Sequence, residues 1–141
     1  MSLHQIIYTS HSPLLMSRNE LVALLDQSRR ANVAAGITGL LLHADGSFMQ
    51  AIEGEASAIH QLFERIKLDS RHSGIILICD EPIAQRSYAD WSMAFREISP
   101  AEMVQLPGFC MKEQSISERD RDVARNVMYT FFKNAGLSKR A

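Results

Sequence analysis

The strongest structural signal in the sequence is a β-hairpin. Two apolar segments, residues 37–43 and 48–53, flank the turn residues Ala-Asp-Gly-Ser at positions 44–47. An Asp-Gly pair is typical of two-residue hairpin turns, because both turn positions need a positive φ. The two segments are therefore predicted to be adjacent antiparallel strands, around which the rest of the chain must be arranged.

An amphipathic helix is predicted on each side of this hairpin. Residues 3–8 form a short β-rich strand, and the first helix then begins at Ser17, which has capping-box spacing to Glu20. Gly36 is predicted to end this helix. Four apolar residues after the hairpin recur at helical spacing, namely Ile59, Leu62, Phe63 and Ile66. They predict a second helix that ends near Asp69.

The order of these elements defines the fold class. Residues 74–79 are almost continuously apolar, which predicts a strand covered on both faces, and a last strand is predicted to include residues 91–95. The order β-α-β-β-α-β-β predicts an α+β, ferredoxin-like sheet with both helices on one face. We expect residues 1–98 to form this domain and residues 99–141 to form a C-terminal two-helix extension.

The C-terminal extension carries its own helix signals. Ser99 begins its first helix, with Pro100 in the first turn, and the Pro-Gly pair at 107–108 is predicted to end it. Ser117 precedes the second helix. The apolar stripe of that helix is predicted to be Val123, Val127, Met128, Phe131 and Phe132. Both helices are predicted to cover the other face of the sheet, and they are also a candidate output surface.

The composition excludes several classes of protein. Fifteen basic and sixteen acidic residues give a net charge of -1, so no nucleic-acid partner is expected. Cys79 is predicted to be a buried thiol, and Cys79 and Cys110 do not make a disulfide framework. Because no apolar segment is long enough to cross a membrane, we expect a cytoplasmic protein of bacterial type. The five histidines lack metal-ligand spacing, so no metal is expected.

Three polar residues stand out on elements that are predicted to be buried. Tyr8 ends the first strand, and Gln50 shares the strand face of Phe48 and Ile52, which should point toward the helices. Each alone is consistent with a hydrogen-bonded core residue, and Asn32 alone with a helix C-terminal cap. Together, the Gln50 amide could join the Tyr8 hydroxyl to a heteroaromatic acceptor, and Asn32 could match the polar edge of the same ring.

The two helices supply the surroundings for such a ring. An apolar slot is predicted from Leu21, Leu24, Leu25, Phe63 and Ile66. A polar cluster is predicted at the end of the second helix from Arg65, Asp69, Arg71 and His72. This cluster is either a solvated helix end, where cations favour the helix dipole, or a site that binds a polar ring edge or phosphate.

Five motifs in order make residues 1–98 resemble a BLUF domain, the flavin-binding blue-light sensor family. The motifs are Ile6-Ile7-Tyr8-Thr9-Ser10, Ala31-Asn32 with Gly36-Ile37-Thr38-Gly39-Leu40-Leu41, Phe48-Met49-Gln50-Ala51-Ile52-Glu53-Gly54, Ile66 with Asp69-Ser70-Arg71-His72, and Trp91-Ser92-Met93. The resemblance covers about 70% of the chain. Ala31 stands where other members can carry a polar side chain.

The resemblance implies FAD held noncovalently between the two helices, with FMN or riboflavin as alternatives. The implied cofactor-binding residues are Tyr8, Leu24, Leu25, Asn32, Phe48, Gln50, Arg65, Ile66, Asp69, Arg71 and His72. Tyr8 and Gln50 would be the photoactive pair: Tyr8 gives an electron and then a proton to the excited flavin, and the Gln50 amide rotates or tautomerises. Met93 and Trp91 are expected to share one strand face, and one or both of them would relay the change to the last strand.

The resemblance further implies a light sensor rather than a turnover enzyme. Nothing in the sequence resembles an attached cyclase or phosphodiesterase, so a separate signalling protein, acting in trans, is the expected partner, reached through the last strand and residues 99–141. Self-association through the C-terminal helices is a further expectation.

Two alternative functions remain open from the sequence. A small ferredoxin-like acyl-phosphate hydrolase needs an arginine in a glycine-rich loop after the first strand, but residues 9–13 are Thr-Ser-His-Ser-Pro. A light-silent flavin-binding module is the other alternative, against which the presence of both Tyr8 and Gln50 argues.

Overall fold

The computed structural model describes residues 2–12, 17–70, 73–104, 106 and 116–134. Within these residues the order of elements is β1 (Leu3–His11), α1 (Arg18–Ala35), β2 (Thr38–Ala44), β3 (Ser47–Glu55), α2 (Ala56–Leu68), β4 (Ser73–Pro82), β5 (Ala94–Glu97), α3 (Pro100–Met103) and α4 (Glu118–Asn134). The predicted β-α-β-β-α-β-β order, followed by two helices, is confirmed.

The strands form one mixed sheet in the order β4-β1-β3-β2-β5. β1, β3, β2 and β4 pair antiparallel, whereas β5 pairs parallel with β2. The central pair places Tyr8 directly opposite Gln50. On its other side β1 has a register shift between Ile7 and Tyr8, opposite Cys79 and Leu77. This bulge on β4 lets both Ile78 and Cys79 contribute to the same core.

Local signals set the boundaries of the hairpin and of α1. Asp45 and Gly46 have φ values of 45° and 82°, as a two-residue turn matching the twist of its strands requires. Ser17 and Glu20 form the predicted capping box, and Gly36 ends α1 in the left-handed conformation. α2 ends at Leu68 with Asp69 as its cap. These predictions are confirmed.

A separate apolar core lies on each face of the sheet. The core under α1 and α2 contains Ile6, Tyr8, Leu25, Ile37, Leu41, Phe48, Ile52, Ile59, Phe63 and Met93. The core under α3 and α4 includes Ile7, Leu40, Leu42, Met49, Ala51, Ile78, Met103, Ala124 and Met128. The C-terminal helices therefore cover the second face, as predicted. Val123, placed in the stripe by the sequence, is exposed, and Ala124 packs inward instead.

The last strand begins three residues later than predicted. The carbonyl of Trp91 accepts from the Gly39 N–H, and the carbonyls of Ser92 and Met93 accept from side chains of α1. Because the Ser92 and Met93 carbonyls bind side chains of α1 rather than a neighbouring strand, β5 starts at Ala94. The expectation that Trp91 and Met93 share a face is wrong. Trp91 packs edge-on against Phe132 of α4, whereas Met93 is buried in the core under α1 and α2.

Two further boundaries differ from the sequence prediction. β4 continues to Pro82 rather than ending at residue 79, because residues 80–82 still pair with β1. α3 ends at Met103, and residues 107–108, predicted to stop it, lie outside the described residues.

The prediction that Cys79 is a buried thiol is confirmed. Cys79 is a buried free thiol, and its burial, with the nearby Glu81 carboxylate, raises its pKa to about 12. Cys110 lies outside the described residues. No helix in the described part of the chain is both long enough and apolar enough to span a membrane.

A buried carboxylate fixes the loop that leads to β5. Glu53 is fully buried and accepts from the backbone N–H groups of Ser87 at 2.9 Å and Tyr88 at 2.8 Å, and from Thr38 Oγ1 at 3.0 Å. Burial raises the pKa of Glu53 despite these hydrogen bonds. Glu53 therefore anchors the polypeptide between β4 and the segment that carries Met93.

We expect Glu53→Ala to lower the free energy of unfolding by about 3 kcal/mol, because two backbone N–H groups would lose their acceptor inside the protein. Glu53→Gln keeps one acceptor oxygen and should lose less. Urea unfolding measures both. Equal losses in the two variants would contradict this role.

The same carboxylate gives a pH dependence of defined sign. Because the native pKa of Glu53 is raised, the native state holds its proton at pH values where the unfolded chain has lost it. The contribution of Glu53 to stability therefore falls as pH rises from the ordinary pKa of 4.5 through the raised one. The Gln variant should lack this component of the pH profile.

Candidate functional site

A cavity of about 210 Å³ lies between α1 and α2, above the central strands. The strands supply its floor through Tyr8, Leu41, Phe48 and Gln50. The helices supply its walls through Leu24, Gln27, Ser28, Ala31, Asn32, Leu62, Arg65, Ile66 and Asp69. The lining thus combines an apolar slot with polar groups at its edges.

Most of the residues predicted for the site line this cavity. They are Tyr8, Leu24, Asn32, Phe48, Gln50, Arg65, Ile66 and Asp69. Leu25 instead packs in the core between α1 and the sheet, because one residue along a helix turns the side chain by about 100°. Leu21 and Phe63 belong to the same core. Arg71 and His72 lie outside the described residues.

Sequence reasoning missed part of the α1 wall. Leu24, Gln27, Ser28 and Ala31 have the i, i+3, i+4, i+7 spacing of one helix face. Only Leu24 was apolar enough to be selected as a wall residue from hydrophobic spacing. The polar members could have been found by extending the face from Leu24 without regard to polarity. Leu41 on the floor and Leu62 on the α2 wall were also missed as residues that line the cavity.

Tyr8 and Gln50 are hydrogen-bonded to each other on the cavity floor. The Tyr8 hydroxyl donates to Gln50 Oε1, and the Tyr8 ring packs 5.4 Å from the ring of Phe63. Burial, with a smaller effect from the Asp69 carboxylate, raises the pKa of Tyr8. The phenol therefore stays protonated and serves as a donor.

The other end of the Gln50 amide contacts Met93. Gln50 Nε2 donates to Met93 Sδ at 3.4 Å. Gly39 makes this approach feasible: a Cβ at that position would lie 2.1 Å from the Ala51 carbonyl oxygen and 3.2 Å from Met93 Cε. The amide thus connects the cavity floor to the residue immediately before β5.

Asn32 ties α1 to the same segment. Its side chain is buried, and Nδ2 donates to the Ser92 carbonyl at 2.7 Å, while Arg29 Nε donates to the Met93 carbonyl at 2.9 Å. Gly36, rather than Asn32, caps the helix, so the capping interpretation of Asn32 is wrong. With one N–H engaged, the Asn32 amide retains an oxygen and a second N–H at the cavity edge.

This donor set fits a flavin ring. Leu24, Phe48 and Ile66 present apolar surface to a planar ring, and the amides of Asn32 and Gln50 offer both donors and acceptors at its edge. The edge of such a ring alternates C=O and N–H groups. An amide side chain can hydrogen-bond to either, because it both donates and accepts.

The comparison with protein families agrees with this geometry. A family model for BLUF, sensors of blue-light using FAD, matches residues 3–94. The chain therefore belongs to the BLUF family of flavin-binding blue-light photosensors. A BLUF domain is a sensory module and not itself a catalyst, so the acyl-phosphate hydrolase alternative is not supported.

The relatives share this domain in different contexts. The chain is 34% identical over 93 residues to photoactivated adenylate cyclase subunit beta of Euglena longa, covering 65% of this chain and 11% of the relative. It thus spans about a tenth of the length of such curated relatives. The dark-state structure of the BLUF protein BlrB is 31% identical, with coverage of 92% of this chain and 97% of BlrB and a TM-score of 0.71. Ground-state BlsA, 23% identical, has the same fold, with a TM-score of 0.72 and coverage of 99% and 91%.

Proposed function

We propose that this protein is a blue-light photoreceptor that binds FAD noncovalently between α1 and α2 and signals to a separate protein. The observation that carries the proposal is the Tyr8 hydroxyl donating to Gln50 Oε1 on the floor of the cavity. A hydroxyl and an amide that are buried together at the floor of this cavity form a unit whose hydrogen bonds can be redirected.

The cavity residues have distinct parts in holding the cofactor. Asn32 would hydrogen-bond the ring edge, and Arg65 and Asp69 would lie at the pyrimidine end, together with Arg71 and His72, predicted from the sequence. A bound flavin supplies blue-light absorption and an excited-state electron acceptor. FMN and riboflavin share the same ring, so the slot itself does not distinguish them from FAD.

Tyr8 and Gln50 would perform the photochemical switch. Tyr8 starts as a neutral phenol, because burial raises its pKa, and it would give an electron and then its hydroxyl proton to a light-excited flavin and recover both once the Gln50 amide has rearranged. Gln50 would then rotate or tautomerise. Rotation exchanges the two ends of the amide and places its oxygen against Met93 Sδ, where an N–H now donates. Rotation would therefore break the Gln50–Met93 hydrogen bond, and either rearrangement would change the hydrogen bonding of a bound flavin ring and hence its absorption.

The contacts around Met93 offer a route out of the cavity. Met93 precedes β5, and within β5 Arg96 Nη1 donates to the Phe131 carbonyl of α4 at 2.6 Å. Trp91, on the other face, packs directly on α4 through Phe132. Displacement of Met93 would thus change the contacts that β5 and Trp91 make with α4. The exposed side of α4 would bind the partner protein or a second copy of the chain.

The experiment that tests the proposal is a visible absorption spectrum before and after a blue flash. We expect a flavin spectrum that shifts to the red and relaxes in darkness, with FAD identified by mass after heat release. Bound flavin without a shift would mean a light-silent module. Protein that takes up no flavin after refolding with excess FAD would contradict the proposal altogether.

A further inference from the structure

Three side chains from distant parts of the chain meet beside the first turn of α2. His4 lies on β1, His60 on α2 and Asp80 on β4. His4 Nε2 is 2.5 Å from Asp80 Oδ1, and His60 Nε2 is 2.9 Å and 3.1 Å from Asp80 Oδ1 and Oδ2. One ligand atom from each residue lies within 4.8 Å of the other two.

The hydrogen bonding of His60 calls for a cation in this cluster. His60 Nδ1 is 2.7 Å from the Ala56 carbonyl, which only accepts, so the proton of a neutral imidazole must be on Nδ1. Its Nε2 then presents a lone pair to the Asp80 carboxylate, and two acceptors face each other. A proton or a metal ion must lie between them.

The composition of the cluster favours the metal ion. Two imidazole nitrogens and one carboxylate are a ligand set for Zn²⁺ with further positions open to water. Ala56 supplies the backbone carbonyl that fixes a ligating imidazole in the correct tautomer. His60 and Asp80 have side-chain exposures of 45% and 34%, so water and an ion can reach them.

We propose that His4, His60 and Asp80 bind a divalent transition-metal ion, with Zn²⁺ as the preferred ion. Each imidazole Nε2 is now in hydrogen-bond contact with the Asp80 carboxylate, and a zinc ion at its usual bond lengths would hold neighbouring ligand atoms about 3.3 Å apart. The metal would link β1, the edge strand β4 and the helix that carries Arg65 and Ile66 of the cavity wall.

The spacing of the histidines in the sequence could not show this site. Residues 4, 60 and 80 are brought together by strand register, because Asp80 pairs with Ile6 and His4 is its diagonal neighbour on the same face. The ring centroids of His4 and His60 then lie 5.1 Å apart.

Calorimetric titration of the untagged, flavin-loaded full chain with zinc chloride tests the proposal. We expect one Zn²⁺ per chain and a raised melting temperature, with affinity reduced at least ten-fold in both His60→Ala and Asp80→Asn. His11→Ala is the matched control, since it removes a histidine at the opposite end of β1 and should leave the affinity unchanged. His60→Gln replaces His60→Ala if the alanine variant loses its flavin spectrum.

Three results would overturn the proposal. The first is a wild-type protein whose melting temperature does not change when zinc is added, which would mean that the cluster holds only a proton. The second is zinc binding that survives His60→Gln and Asp80→Asn. The third is an equal loss of zinc affinity in His11→Ala, which would place the ion elsewhere.

Discussion

Tyr8→Phe is expected to bind flavin in the dark and to show no light-induced red shift. The substitution keeps the ring that packs against Phe63 but removes the hydroxyl that donates to Gln50. Without that O–H, no proton can follow the electron, and the hydrogen bond that holds the Gln50 amide in its dark orientation is already missing. Flash absorption spectroscopy on the purified variant measures the effect, and a normal photocycle would refute the assignment of Tyr8.

Tyr88→Phe is the matched control for this variant. Tyr88 is also a buried tyrosine with a raised pKa, but it lies in the other core, beside Phe132. Its loss of a hydroxyl should leave the red shift intact. Tyr8→Phe leaves the buried Gln50 Oε1 without its donor, which should lower the free energy of unfolding by about 1–3 kcal/mol, so the variant should remain folded.

Gln50→Leu is expected to abolish the light-induced shift as well, for a different reason. Leucine has neither donor nor acceptor, so the two hydrogen bonds that now join Tyr8 to Met93 both disappear. The buried Tyr8 hydroxyl loses its acceptor, which should lower the free energy of unfolding by about 1–3 kcal/mol. Flash spectra and urea unfolding of the flavin-bound variant measure the two effects.

Gln5→Leu provides the comparison for Gln50→Leu. Gln5 is a buried glutamine on β1 whose Oε1 has no hydrogen-bond partner among the described residues. Replacing it removes an amide of the same size without touching the cavity, so the red shift should persist. A shift that survives in Gln50→Leu, or vanishes in Gln5→Leu, would show that the switch does not reside in the Gln50 amide.

Those parts of the fold that depend on neighbouring residues could be predicted from the sequence. The turn at Asp45, the capping box at Ser17 and the end of α1 at Gly36 each depend on residues within a few positions of one another. The cavity floor was also predictable, since alternation along β3 places Gln50 on the helix side.

The parts that could not be predicted depend on distant partners. β5 starts later than predicted because Arg29 and Asn32, some sixty residues away, donate to the backbone carbonyls of the residues just before it. The His60–Asp80 contact arises from strand register and helix placement together. Such interactions leave no periodic trace in a single sequence.

The two cores are separated by a single sheet, and β3 is its central strand. Phe48, Gln50 and Ile52 face one core, while Met49 and Ala51 face the other. Neighbouring residues of β3 therefore pack against different sets of helices. A change of volume at Met49 shifts the backbone on which Gln50 is mounted. A substitution in the core under α3 and α4 is therefore expected to alter the position of the Gln50 amide on the opposite face of the sheet.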